Sequence, residues 1–226
     1  MWRSVRSAPF LMLVLCCTAM ALITGSAVGQ TSFSGASSSS SMPLGLQGTG
    51  AWVSPGFSTL GWVVSQAGPG LPWHYVYSLG VPGCNISQFI VQTSPDFSLN
   101  DITNVSGQFS SYTVGTFTPG SSFPNLPGQI YGVLVTTSGP GGQFAFDSPR
   151  VPVWGDFYAQ GTNSADSVRN VGFGQPNPDV PPANGALNNS KLLVPDTVAV
   201  PDANTAVLAL FGLLPAFLVR RRRRTT

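Results

Sequence analysis

The middle of the chain is a series of short apolar runs, each of strand length and each bounded by Gly, Pro, Asn or Ser. Apolar and polar positions alternate within residues 143–147, which is the period of a strand with one buried face. Runs of this kind, rich in Val, Ile, Phe, Tyr and Thr, cover residues 61–66, 74–79, 86–93, 112–118, 129–137, 143–147 and 151–159. The pattern predicts an all-β body, an antiparallel β-sandwich or jelly roll.

Two segments of biased composition flank these runs. Residues 30–47 contain five consecutive serines, and residues 175–199 are rich in Pro and Asn. Neither segment offers enough apolar side chains to offset the entropy of ordering it, so we expect a flexible leader and a linker. The folded β-sandwich domain is therefore predicted to occupy residues 48–174.

Residues 1–29 have the three parts of a secretory signal peptide. Two arginines precede an apolar stretch over residues 8–23, and small residues end the segment. We expect a signal-peptide helix that is removed by a signal peptidase cutting between Gly29 and Gln30.

Removal of that peptide changes the cysteine count. Cys16 and Cys17 leave with it, so Cys84 stays alone in an oxidising compartment. A single thiol cannot form an internal disulfide. Cys84 is then a buried apolar side chain, an intermolecular bridge or a free thiol.

Residues 200–226 have a tripartite pattern. Val200, Pro201 and Asp202 come first, and an apolar run follows over residues 206–219. Five consecutive arginines complete the pattern: Arg220, Arg221, Arg222, Arg223 and Arg224. The apolar run predicts a transmembrane helix whose short span is completed by flanking residues, and the positive-inside rule places the arginines in the cytoplasm.

This order of elements resembles the PEP-CTERM sorting signal of exported bacterial proteins. In that family an exosortase, an integral-membrane protease, cleaves near a Pro-Glu-Pro element and releases the body to the surface. Here the element reads Pro201-Asp202-Ala203, so aspartate replaces glutamate and the second proline is absent. A second Val-Pro-Asp tripeptide, at residues 194–196, is not followed directly by the apolar run and is interpreted as linker.

Charge is distributed so that the body is acidic although the whole chain is not. The chain has a net charge of +2, but most of its positive residues lie in residues 1–29 and 200–226. Between residues 30 and 200, three positive residues stand against seven aspartates, a balance of −4. Because such a body repels phosphate, we expect no nucleic-acid partner.

Few residues in the body could carry chemistry. His74 is the only histidine, no Gly-x-Ser-x-Gly elbow occurs, and the carboxylates are scattered aspartates. We therefore expect no enzyme and no cofactor. Asp96, Ser98, Asn100 and Asp101 place oxygen ligands as a calcium loop does, but the Gly and Glu that an EF-hand needs are missing. An ordinary turn is the preferred interpretation, and no metal site is predicted.

Aromatic rings exposed on a sheet face would stack on sugars. The candidates are Trp52, Trp62, Trp73, Tyr75, Tyr77, Trp154 and Tyr158. A sandwich poor in Leu also needs aromatic residues to fill its interior, so the alternative is that these rings form the core.

Together with the resemblance, these observations predict a non-enzymatic, exported protein of the cell surface or extracellular matrix in an exopolysaccharide-producing bacterium. Its route passes through an inner-membrane intermediate, with signal peptidase and exosortase as processing partners and exopolysaccharide as a further candidate partner. Two alternatives stay open: a lectin-like, carbohydrate-binding surface module, and a surface protein that remains permanently anchored in the membrane.

Overall fold

A computed structural model describes residues 31–39, 45–53, 57–83, 85–176 and 190–199. Within them lie thirteen strands: β1 Thr31–Ser38, β2 Leu46–Thr49, β3 Thr59–Gln66, β4 Trp73–Gly80, β5 Ile86–Gln92, β6 Thr103–Gly107, β7 Ser111–Phe117, β8 Ile130–Gly139, β9 Gly141–Ser148, β10 Arg150–Gly155, β11 Phe157–Gly161, β12 Ser167–Asn170 and β13 Leu192–Ala199. Two 3₁₀ turns accompany them, Gly50–Trp52 and Leu99–Asp101. No helix in these described ranges has the length and apolar content to cross a bilayer.

The strands form two large antiparallel sheets and a two-stranded ribbon. The five-stranded sheet has the order β1-β3-β4-β9-β6, and the six-stranded sheet has the order β2-β12-β11-β5-β8-β7. β10 and β13 pair with each other as the ribbon. The predicted all-β, antiparallel, sandwich-like fold is therefore confirmed.

Aromatic side chains fill the space between the two sheets. Tyr75 and Tyr77 on β4 point inward together with Phe146 on β9, and all three are buried. The Tyr75 and Phe146 rings stack at 5.3 Å between centroids, and Tyr77 meets Phe89 of the other sheet edge-on at 6.2 Å. The alternation predicted for residues 74–79 and 143–147 thus directs aromatic rings into one shared core.

The β10–β13 ribbon closes the sandwich. β13 contacts β3 of the five-stranded sheet and β5 of the six-stranded sheet. Two core tyrosines attach the ribbon: the Tyr75 hydroxyl donates to the Arg150 carbonyl at 2.7 Å, and the Tyr77 hydroxyl donates to the Leu193 carbonyl at 2.9 Å. Burial raises the pKa of Tyr77 well above its ordinary value, so this hydroxyl stays a donor.

A glycine makes the close approach of the two ribbon strands possible. A Cβ atom at Gly155 would lie 2.4 Å from Val194 Cγ2. Val194 is itself buried. A larger residue at position 155 would therefore push β13 away from the body.

Two predicted boundaries are wrong, because the expected leader and linker both contain strands. β1 lies inside residues 30–47 and pairs with β3 over its whole length. β13 lies inside residues 175–199, with Leu192, Leu193 and Val194 buried. Serines are tolerated in β1 because it is an edge strand, in which every second side chain faces water. Its backbone hydrogen bonds to β3 hold it in place. The folded body therefore extends well beyond 48–174 at both ends.

One predicted strand is also divided. The run over residues 151–159 covers nearly all of β10 and the start of β11, which belong to the ribbon and to the six-stranded sheet respectively. Asp156 separates them. The chain changes from one sheet to the other at this residue.

The stacked core predicts a large difference between two phenylalanine substitutions. Phe146→Ala should lower the free energy of unfolding by about 3–5 kcal/mol in urea denaturation, because it removes a fully buried ring from the aromatic stack. Phe57→Ala is the matched control, since Phe57 is 60% exposed, and should change the free energy by less than about 0.5 kcal/mol. Equal losses would contradict the described core.

Candidate functional site

An acidic side chain is buried where the chain passes from β10 to β11. Asp156 is 4% exposed, and the ammonium group of Lys191, which is equally buried, lies 2.5 Å from its Oδ1 atom. Lys191 directly precedes β13. Two opposite charges are therefore paired in the interior, at the junction of the ribbon and the six-stranded sheet.

Further hydrogen bonds complete the surroundings of Asp156. Asn170, at the end of β12, donates from Nδ2 to Oδ1 at 2.7 Å, and the Gly174 N–H donates to Oδ2 at 2.9 Å. The backbone N–H of Asp156 donates to Gln92 Oε1 at 2.7 Å. Buried charge is tolerated when it is paired and hydrogen-bonded in this way.

The amide of Asn170 is held from its other end as well. Its Oδ1 atom accepts a hydrogen bond from the Phe157 N–H at 3.1 Å, and its side chain is fully buried. An amine, a carboxylate and a polarised carboxamide thus meet in one dry site. Groups of these three types take part in proton transfer and acyl transfer. We refer to Asp156, Asn170 and Lys191 as the buried triad.

His74 lies on the outer face of the five-stranded sheet. Its Nδ1 atom is 2.5 Å from Asp147 Oδ1, and Asn104 donates from Nδ2 to Asp147 Oδ2 at 2.7 Å. The His74 side chain is 46% exposed. The antiparallel register of β4 and β9 places Asp147 directly opposite His74.

The acidic loop before β6 is a structural turn that binds an arginine. Arg150 donates from Nε to Asp101 at 2.9 Å and from Nη1 to Asp96 at 3.0 Å. Asp101 also closes a capping box with Ser98 around the short 3₁₀ turn. The loop therefore contains a hydrogen-bonded turn, as expected. Within the described ranges, no group of three or more His, Cys, Asp or Glu residues is arranged as metal ligands.

The hydrogen bonds around Asp101 change its acidity. Burial acts to raise the pKa, but the hydrogen bonds from Arg150 and Ser98 outweigh it, and the pKa of Asp101 falls below its ordinary value. The Asp101 side chain is 14% exposed and that of Asp96 is 57% exposed. Asp101 is therefore the stronger partner of Arg150.

The hypothesis of sugar stacking on the seven named rings is wrong, because all of them are buried. The exposed fraction is at most 9% for each of Trp52, Trp62, Trp73, Tyr75, Tyr77, Trp154 and Tyr158. Six belong to the main core cluster, and Tyr158 packs with Phe123 in a smaller cluster on the other face of the six-stranded sheet. Burial raises the pKa of Tyr158 to about 12. The alternative that these rings form the core is confirmed.

The predicted processing residues lie outside the described part of the chain. These are Gly29, Gln30, Val200, Pro201, Asp202, Arg220, Arg221, Arg222, Arg223 and Arg224, together with the two predicted terminal helices. Cys84 is also outside it. These expectations remain predictions.

Sequence reasoning missed the buried triad. Its members lie on three different elements, and Lys191 falls in the predicted linker. A signal was present, since Lys191 is the sole lysine of the chain and is followed directly by Leu192, Leu193 and Val194. A lone charge beside an apolar run is typical of a residue that needs a buried partner.

No protein-family model matches the chain, and comparisons with curated proteins and with solved structures also give no match.

The lowered pKa of Asp101 predicts how stability depends on pH. The stabilisation from ionised Asp101 is present above the pKa of an unfolded aspartate, about 3.9, and is lost as the pH falls toward the lower folded value. Asp101→Asn should therefore show a smaller fall in the free energy of unfolding between about pH 5 and about pH 3 than the parent protein does.

Asp96→Asn is the control for that measurement, because it removes the more exposed carboxylate from the same arginine. Its pH dependence should stay close to that of the parent protein in parallel urea titrations. An Asp101→Asn curve that follows the parent curve would show that Arg150 does not lower the pKa of Asp101.

Proposed function

We propose that this chain is an exported, non-enzymatic protein of the bacterial cell surface or extracellular matrix. In this proposal the signal-peptide helix is removed between Gly29 and Gln30, and the apolar segment 206–219 becomes a transient transmembrane helix. The body waits at the inner membrane until an exosortase reads Val200, Pro201 and Asp202 and releases it. The producing cell makes exopolysaccharide, which is the matrix that the body joins.

The position of β13 carries the proposal. β13 ends at Ala199, and the residue that follows is Val200. Since Leu192, Leu193 and Val194 are buried in the body, the last strand is part of the fold and not a spacer. A cut at or after Pro201 would leave every described strand in place, as release of a folded body requires.

The other end of the body supports the same route. β1 begins at Thr31, two residues after Gly29, and pairs with β3. Removal of residues 1–29 would leave this edge strand whole. Both proposed cuts thus fall just outside the described strands.

The use of charged side chains supports a non-enzymatic body. Asp96 and Asp101 bind Arg150, and Asp147 binds His74. These contacts connect different strands and loops of the same fold. Such engagement is typical of carboxylates that stabilise a structure.

The arginine block tests membrane retention. Replacing Arg220, Arg221, Arg222, Arg223 and Arg224 with Ser should send the body into the medium unsorted, because the positive charges that hold this end in the cytoplasm are gone. Each charge opposes translocation by about 2.3 kcal/mol per 100 mV of membrane potential. Immunoblots of membrane, surface and medium fractions with an antibody to the body measure the outcome.

The Pro201→Ala, Asp202→Ala double variant tests recognition in the same blots. It should accumulate as a larger, membrane-retained species, because the apolar run is intact and the sorting element is not. Pro195→Ala is the matched control, since it alters the other Val-Pro-Asp tripeptide, which lies within β13, and it should be processed normally. Normal processing of the double variant would refute the recognition element, and a parent protein that stays full-length in the membrane would favour permanent anchoring.

A further inference from the structure

The buried triad brings a nucleophile and an electrophile together around one carboxylate oxygen. Lys191 Nζ lies 2.5 Å from Asp156 Oδ1, and Asn170 Nδ2 lies 2.7 Å from the same atom. The amine and the carboxamide are therefore neighbours. Lys191 and Asp156 are each 4% exposed and Asn170 is fully buried, so bulk water does not compete for the site.

Each group is oriented for a different task. The Phe157 N–H donates to Asn170 Oδ1 at 3.1 Å, which polarises the carboxamide and would stabilise negative charge on that oxygen. The Gly174 N–H holds Asp156 Oδ2 at 2.9 Å, which leaves Oδ1 directed at both nitrogens. These contacts suit Asp156 to carry a proton, Lys191 to act as a nucleophile and Asn170 to act as an acyl donor.

We propose that Lys191 and Asn170 join in an intramolecular isopeptide bond, formed by the folded body itself with Asp156 as the catalytic residue. Nothing in this chemistry depends on the proposed function. The bond would link the end of β12 to the start of β13, and would close residues 171–190 into a covalent loop.

The reaction balances without any added reagent. Asp156 Oδ1 accepts a proton from the Lys191 ammonium, and the neutral amine attacks Asn170 Cγ to form a tetrahedral intermediate whose oxygen receives the Phe157 hydrogen bond. Asp156 then returns the proton to Nδ2. The Cγ–Nδ2 bond breaks, the Cγ–Nζ bond remains and ammonia leaves, carrying away the second proton lost from the lysine as ammonium. No group is oxidised or reduced.

The same contacts favour Asn170 over Asp156 as the acyl donor. Attack on Asp156 would consume the carboxylate that contacts both nitrogens, and no second carboxylate is seen to contact Lys191 in the described part of the chain. Attack on Asn170 keeps that carboxylate as the proton carrier. Proton transfer from Lys191 to Asp156 would also remove both charges from the dry interior.

Peptide mapping of the folded, exported protein tests the bond. A protease that cuts before aspartate separates residues 166–178, which contain Asn170, from residues 179–195, which contain Lys191. We expect one branched peptide made of both segments, lighter than their sum by about 17 Da, the mass of the lost ammonia. Fragmentation should locate the junction at Asn170 and Lys191.

Mapping is needed because intact mass alone is ambiguous. Gln30 at a new N-terminus and asparagine side chains elsewhere lose ammonia on cyclisation, with the same change of about 17 Da. Residues 166–178 and 179–195 are also adjacent, so an uncut linear peptide with one deamidated asparagine is lighter than their sum by the same amount, about 17 Da. The branched peptide is distinguished by its two N-termini, Asp166 and Asp179, and by fragments that place the junction at Asn170 and Lys191.

Variants distinguish the roles. Lys191→Arg keeps the positive charge beside Asp156 but removes the amine, so the two peptides should separate completely. Asp156→Ala should also give separate peptides, since the proton carrier is gone. Asn104→Ala is the matched control, because Asn104 also donates to an aspartate but lies at the surface, and it should retain the branched peptide.

Two results would overturn the proposal. Separate peptides from a parent protein that gives the folded tryptophan fluorescence would show that the triad forms an ion pair and no bond. A junction at Asp156, with a loss of about 18 Da as water, would show that the acyl donor is wrongly assigned. If the Asp156→Ala variant does not fold, the comparison of the parent protein with Lys191→Arg decides whether the bond forms.

Discussion

The ion pair of Asp156 and Lys191 lies where the chain leaves the ribbon and enters the six-stranded sheet. Removing two such groups from water costs several kcal/mol per ion, and the cost is offset only when their remaining hydrogen bonds are made inside the protein. Asn170 and Gly174 make those bonds for Asp156. The hydrogen bonds and the ion pair of this one buried carboxylate therefore hold three segments in position: the end of β12, the turn after it and the start of β13.

The position of β13 in turn decides how the aromatic core is closed. The Tyr77 hydroxyl, fully surrounded by core side chains, needs an acceptor, and the Leu193 carbonyl of β13 supplies it. Trp62 and Trp154 meet edge-on at 5.7 Å and join β3 to the ribbon in the same region. Without β13, apolar side chains of the core would be exposed to water and the Tyr77 hydroxyl would lose its acceptor. This dependence explains why a strand so late in the sequence belongs to the body.

The predictable part of the fold is the part in which local pattern and tertiary packing agree. Residues 74–79 and 143–147 place aromatic rings at every second position, and their inward residues Tyr75, Tyr77 and Phe146 are in the core. β1 could not be foreseen, because its serines carry no apolar signal and its order comes from pairing with β3. The alternation also could not decide whether the aromatic rings face solvent or a second sheet. A period of two residues shows which side chains share one face of a strand, but it does not show whether that face is covered.

The site depends on contacts between residues far apart in the chain. His74 and Asp147 meet only through the register of β4 and β9. Asp156, Asn170 and Lys191 meet only because β13 returns beside β10. No local spacing encodes either arrangement, and the prediction of a linker over residues 175–199 concealed the second one.

The central proposal is that β13, the last strand in the described part of the chain, belongs to a body that is released whole when the sorting segment is removed. The most direct measurement is the C-terminal residue of the protein recovered from the cell surface, determined by mass spectrometry of its terminal peptide. We expect a terminus between residues 201 and 206, with β13 retained. A surface protein that still carries Arg220, or one that has lost residues 192–199, would contradict it.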